Sequence, residues 1–260
     1  MKRIKRKGKT KNAKKQRGPY LSKPITGRGQ KFHVEHDPID PSTVQPWNGY
    51  VPKCTLENKK MCKHFPAQTA NIIVDEVYQK IRIKSNKWIE MACEEARESI
   101  GEEGGPFGAV IVQIDDKSNK VIRYWKNHNQ VTAINDPTAH AEVMTIRSVC
   151  ASLGVFDLSK IKKEESRLPQ PGKTSHCVIF SSAEPCPMCF SAISWASIGH
   201  MYFSATRYDA AVQGVNFSDE QIYNELSKPY SEREMKIFQC STPNSLDAFN
   251  KWKVTPHTDY

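Results

Sequence analysis

Two short stretches constrain this chain more than anything else in it: His140-Ala141-Glu142 and Pro185-Cys186-Pro187-Met188-Cys189. An imidazole and two thiols are donors that suit zinc, and a zinc site that does chemistry takes three protein ligands and keeps one position for water. The stretches are far apart in sequence, so any fold must bring them together. Each falls at an expected helix start, with Pro137 or Pro185 just before it. The unsatisfied N–H groups and the dipole of a helix start favour negative charge and lower a cysteine's pKa. Cys186 and Cys189, three apart, can point from one turn. His140 and Glu142, two apart, share no helix face, yet at a frayed first turn both can border one pocket. His140, Cys186 and Cys189 are therefore the expected ligands of one zinc ion per chain. Glu142 has the type and position to carry protons for the metal's water. A purely structural zinc site is the competing reading, but it would want a fourth Cys or His and would leave Glu142 without a task.

The surrounding pattern predicts a layered α/β domain. Asn86 is placed to cap a helix with Trp88, Ile89, Ala92, Cys93, Ala96 and Ile100 on one face. Phe107 to Ile114 reads as a buried strand, and Val121 to Trp125 as its hairpin partner. A helix is expected from about Thr138 to Leu153, a polar insertion over 159–175, and a strand from Cys177 to Ser181. The helix after Pro185 should run to about Ser197, followed by a strand from His200 to Ser204. Beyond it come a helix near Asp219 to Leu226, a strand at Met235 to Cys240 and a short helix at Leu246 to Trp252.

Charge divides the chain. The formal net charge is +10, yet residues 1–34 hold 13 Lys or Arg and no Asp or Glu, so the rest sums to −3. Residues 1–35 read as a basic tail that cannot bury enough apolar area to fold alone. It is either a nuclear-import signal or nucleic-acid arm, or a solvated tail with no specific partner. Residues 36–72 form an irregular proline-rich connector, and 73–260 the folded domain. Cys54, Cys62 and His64 invite a second metal guess, but their spacing matches no common zinc finger. Eight scattered cysteines and no apolar leader suit a reducing compartment, cytoplasmic or nuclear through the tail. No stretch is apolar enough to span a membrane.

H-x-E followed by P-C-x-x-C is the signature of zinc nucleobase deaminases. Residues 86–260 resemble, more specifically, the bacterial-type guanine deaminases of the cytidine-deaminase fold. The resemblance is carried by Gly104-Gly105-Pro106-Phe107-Gly108-Ala109-Val110, by Asn135-Asp136-Pro137-Thr138-Ala139-His140-Ala141-Glu142-Val143, by Glu184-Pro185-Cys186-Pro187-Met188-Cys189 and by Asp209-Ala210-Ala211. It implies a three-layer α/β/α fold around a five-stranded mixed sheet, and a homodimer that swaps its C-terminal segment. It also implies hydrolysis of guanine to xanthine and ammonia. Asn129 would bind the purine ring, with Phe107 against the base and Trp195 lining the pocket. Asp219 would meet the guanine edge, with Glu220 as competitor, and Tyr260 would close the site. Each has a plainer alternative: Phe107 and Trp195 as core, Asp219 as a helix cap. Guanosine deamination and adenosine-to-inosine editing of tRNA are the rival activities. Such enzymes lack counterparts of residues 1–85 and 159–175, and phosphate-binding arms suit nucleic acid.

Overall fold

The Asn86 side chain accepts hydrogen bonds from the backbone N–H groups of Trp88 (3.0 Å) and Ile89 (3.2 Å). It thereby satisfies two of the donors that a helix start leaves open. In the computed structural model, which describes residues 78–101, 104–212 and 214–259, helix α1 spans Lys87–Ser99. The expectations for residues 1–35 and 36–72, for Cys54, Cys62 and His64, and for Tyr260 lie outside the described residues. Helix α1 buries Trp88, Ile89, Ala92 and Ala96. Ile100, expected on the same face, is the C-cap and 61% exposed, because the helix ends one residue before it.

Five strands form one mixed sheet: β1 (Gly108–Asp115), β2 (Val121–His128), β3 (Ile161–Lys162), β4 (Thr174–Ala183) and β5 (Met201–Ala205). Strand β1 pairs antiparallel with β2 on one side. On the other it runs along β4 from Ala109↔Ser181 to Asp115↔Ser175. The free edge of β4 is shared. Short β3 pairs with its start at Thr174 and Ser175, and β5 runs parallel to its end, from Ile179↔Met201 to Ala183↔Ala205.

Alternate residues of a strand point to opposite faces, and here both faces are covered. Val110, Val112, Ile114, Val178 and Phe180 pack with Trp88, Ile89 and Ala92 of α1. On the other face, Ile111, Trp125 and Ile179 pack with Val149 and Leu153 of helix α3 (Ala141–Leu153) and Ile193 of helix α4 (Pro187–Trp195). The short helix α2 (Val131–Ile134) lies between β2 and α3. Coverage on both faces explains why β1 and β4 read as continuous apolar runs rather than alternating ones. Each fully buried Ile or Phe among these adds about 1.5–3 kcal/mol relative to exposure. The α1–β1 contact is close: a Cβ on Gly108 would lie 2.4 Å from the Ala92 carbonyl oxygen, so no larger residue fits without moving the helix.

Three expectations need correction. Helix α3 begins at Ala141, not Thr138, because Asp136 Oδ1 takes the Thr138 N–H (2.8 Å) and hydroxyl (2.7 Å) into a local turn that competes with helix. The 159–175 insertion is not merely polar. Ile161 is 1% exposed, and buried Gln170 donates to its carbonyl (3.1 Å) and accepts from Ser175 (3.0 Å). The strand expected at Met235 to Cys240 does not form. That stretch has no ladder partner among the described residues, and Met235 and Phe238 are 73% and 83% exposed.

The chain beyond β5 carries helices α5 (Arg207–Ala210), α6 (Glu220–Ser227) and α7 (Asp247–Val254). Leu246, Phe249 and Val254 there are more than half exposed. Among the described residues no helix is long and apolar enough to cross a membrane.

Candidate active site

The strand registers gather the chemistry at one end of the sheet. Gly108↔His128 and Ala183↔Ala205 set the start of β1 and the ends of β2, β4 and β5 side by side. The residues just beyond are Phe107, Asn129, Glu184 and Thr206. Crevices outside the carboxyl ends of strands are where open α/β sheets bind ligands.

Both ligand-bearing stretches arrive there as helix starts. His140 is the N-cap of α3 and Cys186 the N-cap of α4, with Pro187 in that helix's first turn. The His140 Nδ1 atom lies 3.6 Å from Cys186 Sγ and 3.5 Å from Cys189 Sγ. One donor atom from each of the three residues falls within 4.8 Å of the others. A hydrogen bond from Cys189, opposed by burial and aided by His140, brings the Cys186 thiol down to about 4. The same bond, burial and Glu142 push Cys189 upward. A convergent nitrogen–sulfur–sulfur set with a ready thiolate fits zinc.

Glu142 is 6% exposed, in the first turn of α3. Its Oε2 accepts from Cys189 Sγ (3.3 Å), and its Oε1 from the Ser181 hydroxyl of β4 (3.1 Å). Burial raises its carboxyl above the ordinary range, which suits a group that must both take and give a proton. Ser181 was not legible as a site residue. The available signal was a hydroxyl at the inner end of a buried strand, just before the cysteine stretch, where it must find a partner.

Asn129 is buried, and its Oδ1 accepts from the Val131 N–H (3.1 Å). The Phe107 carbonyl holds the Asn129 N–H at 2.9 Å. Gly104 packs so near that a Cβ there would sit 2.7 Å from the Asn129 carbonyl oxygen, which accounts for the glycine pair before Pro106. The end of β2 is pinned by Glu95, which meets His128 at 3.0 Å and Lys126 at 2.6 Å. Burial alone would raise the Glu95 carboxyl, but hydrogen bonds from Lys126 and His128 outweigh it and hold it low.

Phe107 is partly buried and meets Phe217 edge-on, with centroids 5.0 Å apart. Asp219 caps no N–H with its side chain, which is 13% exposed and pairs with Arg207 at 3.4 Å. Glu220 is exposed. Burial raises the Asp219 carboxyl, with Arg207 opposing and the charges of Cys186 and Glu184 adding to the rise, so Asp219 lies within the electrostatic reach of the cysteine stretch. Trp195 stands at the surface of this chain. It ends α4, the helix that Cys186 begins, and is 70% exposed, whereas Ile193 and Ile198 enter the core. Three further residues were not assigned a role from sequence: Tyr78, Glu184 and Arg207. The Tyr78 hydroxyl (2.5 Å) and the Arg207 N–H (3.0 Å) both donate to Glu184 Oε2.

A three-layer α/β/α sheet with an N/S/S donor set at two helix starts and a buried carboxylate beside it defines a zinc-dependent hydrolytic deaminase. Residues 82–205 match the cytidine and deoxycytidylate deaminase zinc-binding region. The guanine deaminase of Bacillus subtilis is 38% identical over 165 residues, covering 64% of this chain and 88% of that protein. A tRNA-specific adenosine deaminase of Agrobacterium fabrum is 32% identical over 146 residues, 55% of this chain and 82% of that protein. The X-ray structure of the Bacillus subtilis guanine deaminase aligns with a TM-score of 0.53 and 34% identity, over 68% of this chain and 99% of that one. The chain belongs to the cytidine and deoxycytidylate deaminase family, and within it resembles the guanine deaminases.

Proposed function

We propose that this chain hydrolyses guanine to xanthine and ammonia, as a step of purine breakdown. The observation that carries this reading is its 38% identity across 88% of a guanine deaminase, ahead of the 32% shared with a tRNA adenosine deaminase. His140, Cys186 and Cys189 would hold zinc, which as a Lewis acid makes a water molecule acidic enough to ionise near neutral pH. Glu142 takes a proton from the attacking water. It passes that proton to the ring nitrogen as the water oxygen joins C2, then takes the second proton from the new C2 hydroxyl and gives it to the amino group, so that the C2–N bond breaks and ammonia leaves. Ser181 steadies the carboxylate through Oε1.

Guanine offers ring N–H groups and an amine as donors, with O6 and N7 as acceptors. Asp219 accepts from the donor edge, and Asn129 serves both kinds. A base that leaves these buried groups unpaired is rejected. Phe107 lies against the ring. Trp195 and Tyr260 complete the pocket in a homodimer that exchanges C-terminal segments. The exposed Phe238, Phe249 and Val254 support that assembly, since apolar surface of this kind marks an interface. Sedimentation should give twice the 29.6 kDa chain mass; a monomer at micromolar concentration would rule the exchange out.

The decisive assay is ammonia release from guanine, guanosine, adenine, cytidine and tRNA, with the full chain and with residues 1–35 removed. Guanine should be the turned-over base, and removing the tail should leave that rate unchanged, as for an import signal or nucleic-acid arm in a cytoplasmic or nuclear enzyme. Turnover of tRNA adenosine, lost with the tail, would make this an editing enzyme instead. Turnover of guanosine ahead of guanine would move the assignment to the nucleoside.

A further inference from the structure

Arg207 is the one cation that reaches the candidate site from α5, and it touches two separate parts of the wall. Its backbone N–H donates to Glu184, the residue before Pro185 and the zinc cysteines. Glu184 is itself fixed by the Tyr78 hydroxyl and by its own N–H to the Ala205 carbonyl (2.8 Å). The Arg207 side chain turns the other way. Its Nε lies 3.4 Å from Asp219 Oδ1, and its guanidinium lies 4.1 Å from the centroid of the Tyr223 ring. Asp219 and Tyr223 are four apart, so they share one face at the start of α6. A guanidinium can both pair with a carboxylate and stack on a ring, which an ammonium does less well. The only other ring contact holding this segment to the strand end is Phe217 against Phe107 among the described aromatic pairs.

We propose that Arg207 is a positioning residue for substrate recognition, clamping the start of α6 to the zinc-cysteine stretch so that Asp219 faces the base. This inference rests on the guanine reading, in which Asp219 meets the donor edge. The Arg207–Asp219 pair is partly shielded from water: the two side chains are 19% and 13% exposed. That shielding separates this pair from surface ion pairs, which hold geometry weakly. Arg207 has a second effect on the same carboxylate. Burial pushes Asp219 up and Arg207 pulls it down, and burial, with Asp219 adding to it, raises the neighbouring Tyr223 hydroxyl. Without the guanidinium, Asp219 would take up a proton at a higher pH, and a protonated acid accepts the guanine donors poorly.

The test is steady-state kinetics on zinc-loaded full-length protein. Arg207→Gln should raise KM for guanine by about tenfold while kcat stays within about threefold, the pattern of lost binding rather than lost chemistry. Its acidic limb of kcat/KM should move to higher pH. Arg207→Lys, which keeps the charge and loses the stack, should return the limb toward its wild-type position and recover KM only in part. In an Asp219→Asn background, Arg207→Gln should add little, since the two act through one carboxylate. Unchanged KM and limb in both Arg207 variants, at wild-type zinc content, would overturn the inference, as would full additivity with Asp219→Asn. If Arg207→Gln does not fold, Arg207→Lys and the double variant with it carry the same comparison. A wild-type protein inactive on guanine but active on another base would overturn the guanine reading instead, and the Arg207 comparison would then be decided on that base.

Discussion

Glu142→Gln yields a protein that keeps its zinc and loses turnover by about 10²–10⁴-fold, the usual worth of a positioned acid–base group. Glutamine has nearly the shape of glutamate, so the Ser181 hydroxyl still finds an oxygen and the buried pocket stays filled. What it lacks is the capacity to accept a proton and give it back. Burial pushes the wild-type carboxyl above the ordinary glutamate range. Single-turnover ammonia release checks the rate, and elemental analysis checks the metal. Loss of zinc together with activity would make Glu142 a ligand and remove it from proton transfer.

The second large effect is removal of the metal. Chelation should take activity to background, and added zinc should restore the wild type. Cys189→Ala should stay inactive after added zinc, because one of the three donors that converge among the described residues is gone. The loss should also be visible in stability. A ligand at 100 times its dissociation constant stabilises by about 2.7 kcal/mol, and each kcal/mol moves the melting temperature of a domain this size by about 2–4 °C. Calorimetry with and without chelator reads the difference. A melting temperature indifferent to zinc, with activity retained after exhaustive chelation, would exclude the site.

The sheet and the metal cluster were largely legible in the sequence, for local reasons. Asn86 marks a helix start through its side chain and Pro187 suits a first turn through its fixed φ, and Val110 to Ile114 must be buried wherever it goes. Cys186 falls at a helix start because Pro187 suits the first turn, whereas the sequence pattern puts the start at His140 too early, at Thr138. What escaped was set by tertiary pairing. Ser181 becomes a site residue only because β4 crosses behind α3, and nothing in a serine announces that. Asp219 is named from sequence, but Arg207 looks like an unrelated surface charge until α5 and α6 bring the two together. The expected strand at 235–240 failed for the same cause in reverse: its residues have strand composition, but they pair with no strand among the described residues. Trp195 is the sharpest case, since its helical spacing beside Ile193 and Ile198 suggested core or pocket, and one chain alone buries the two isoleucines and not the tryptophan.

The wall of the site and the floor of the site belong to different stability classes. The floor, formed by β1, β4 and the first turns of α3 and α4, is tied into the sheet, and its amides should exchange with solvent only when the whole domain opens. The wall, from Phe217 to Tyr223, is held by the edge-on Phe107–Phe217 ring pair, the Arg207 guanidinium and the Phe217 N–H on the Ala210 carbonyl. Opening it in a single chain breaks few apolar contacts, so its free energy of opening lies far below that of global unfolding. Hydrogen-exchange rates should therefore step sharply between Ala205 and Phe217. A base can enter and its deaminated product can leave across that step while the zinc ligands keep their places.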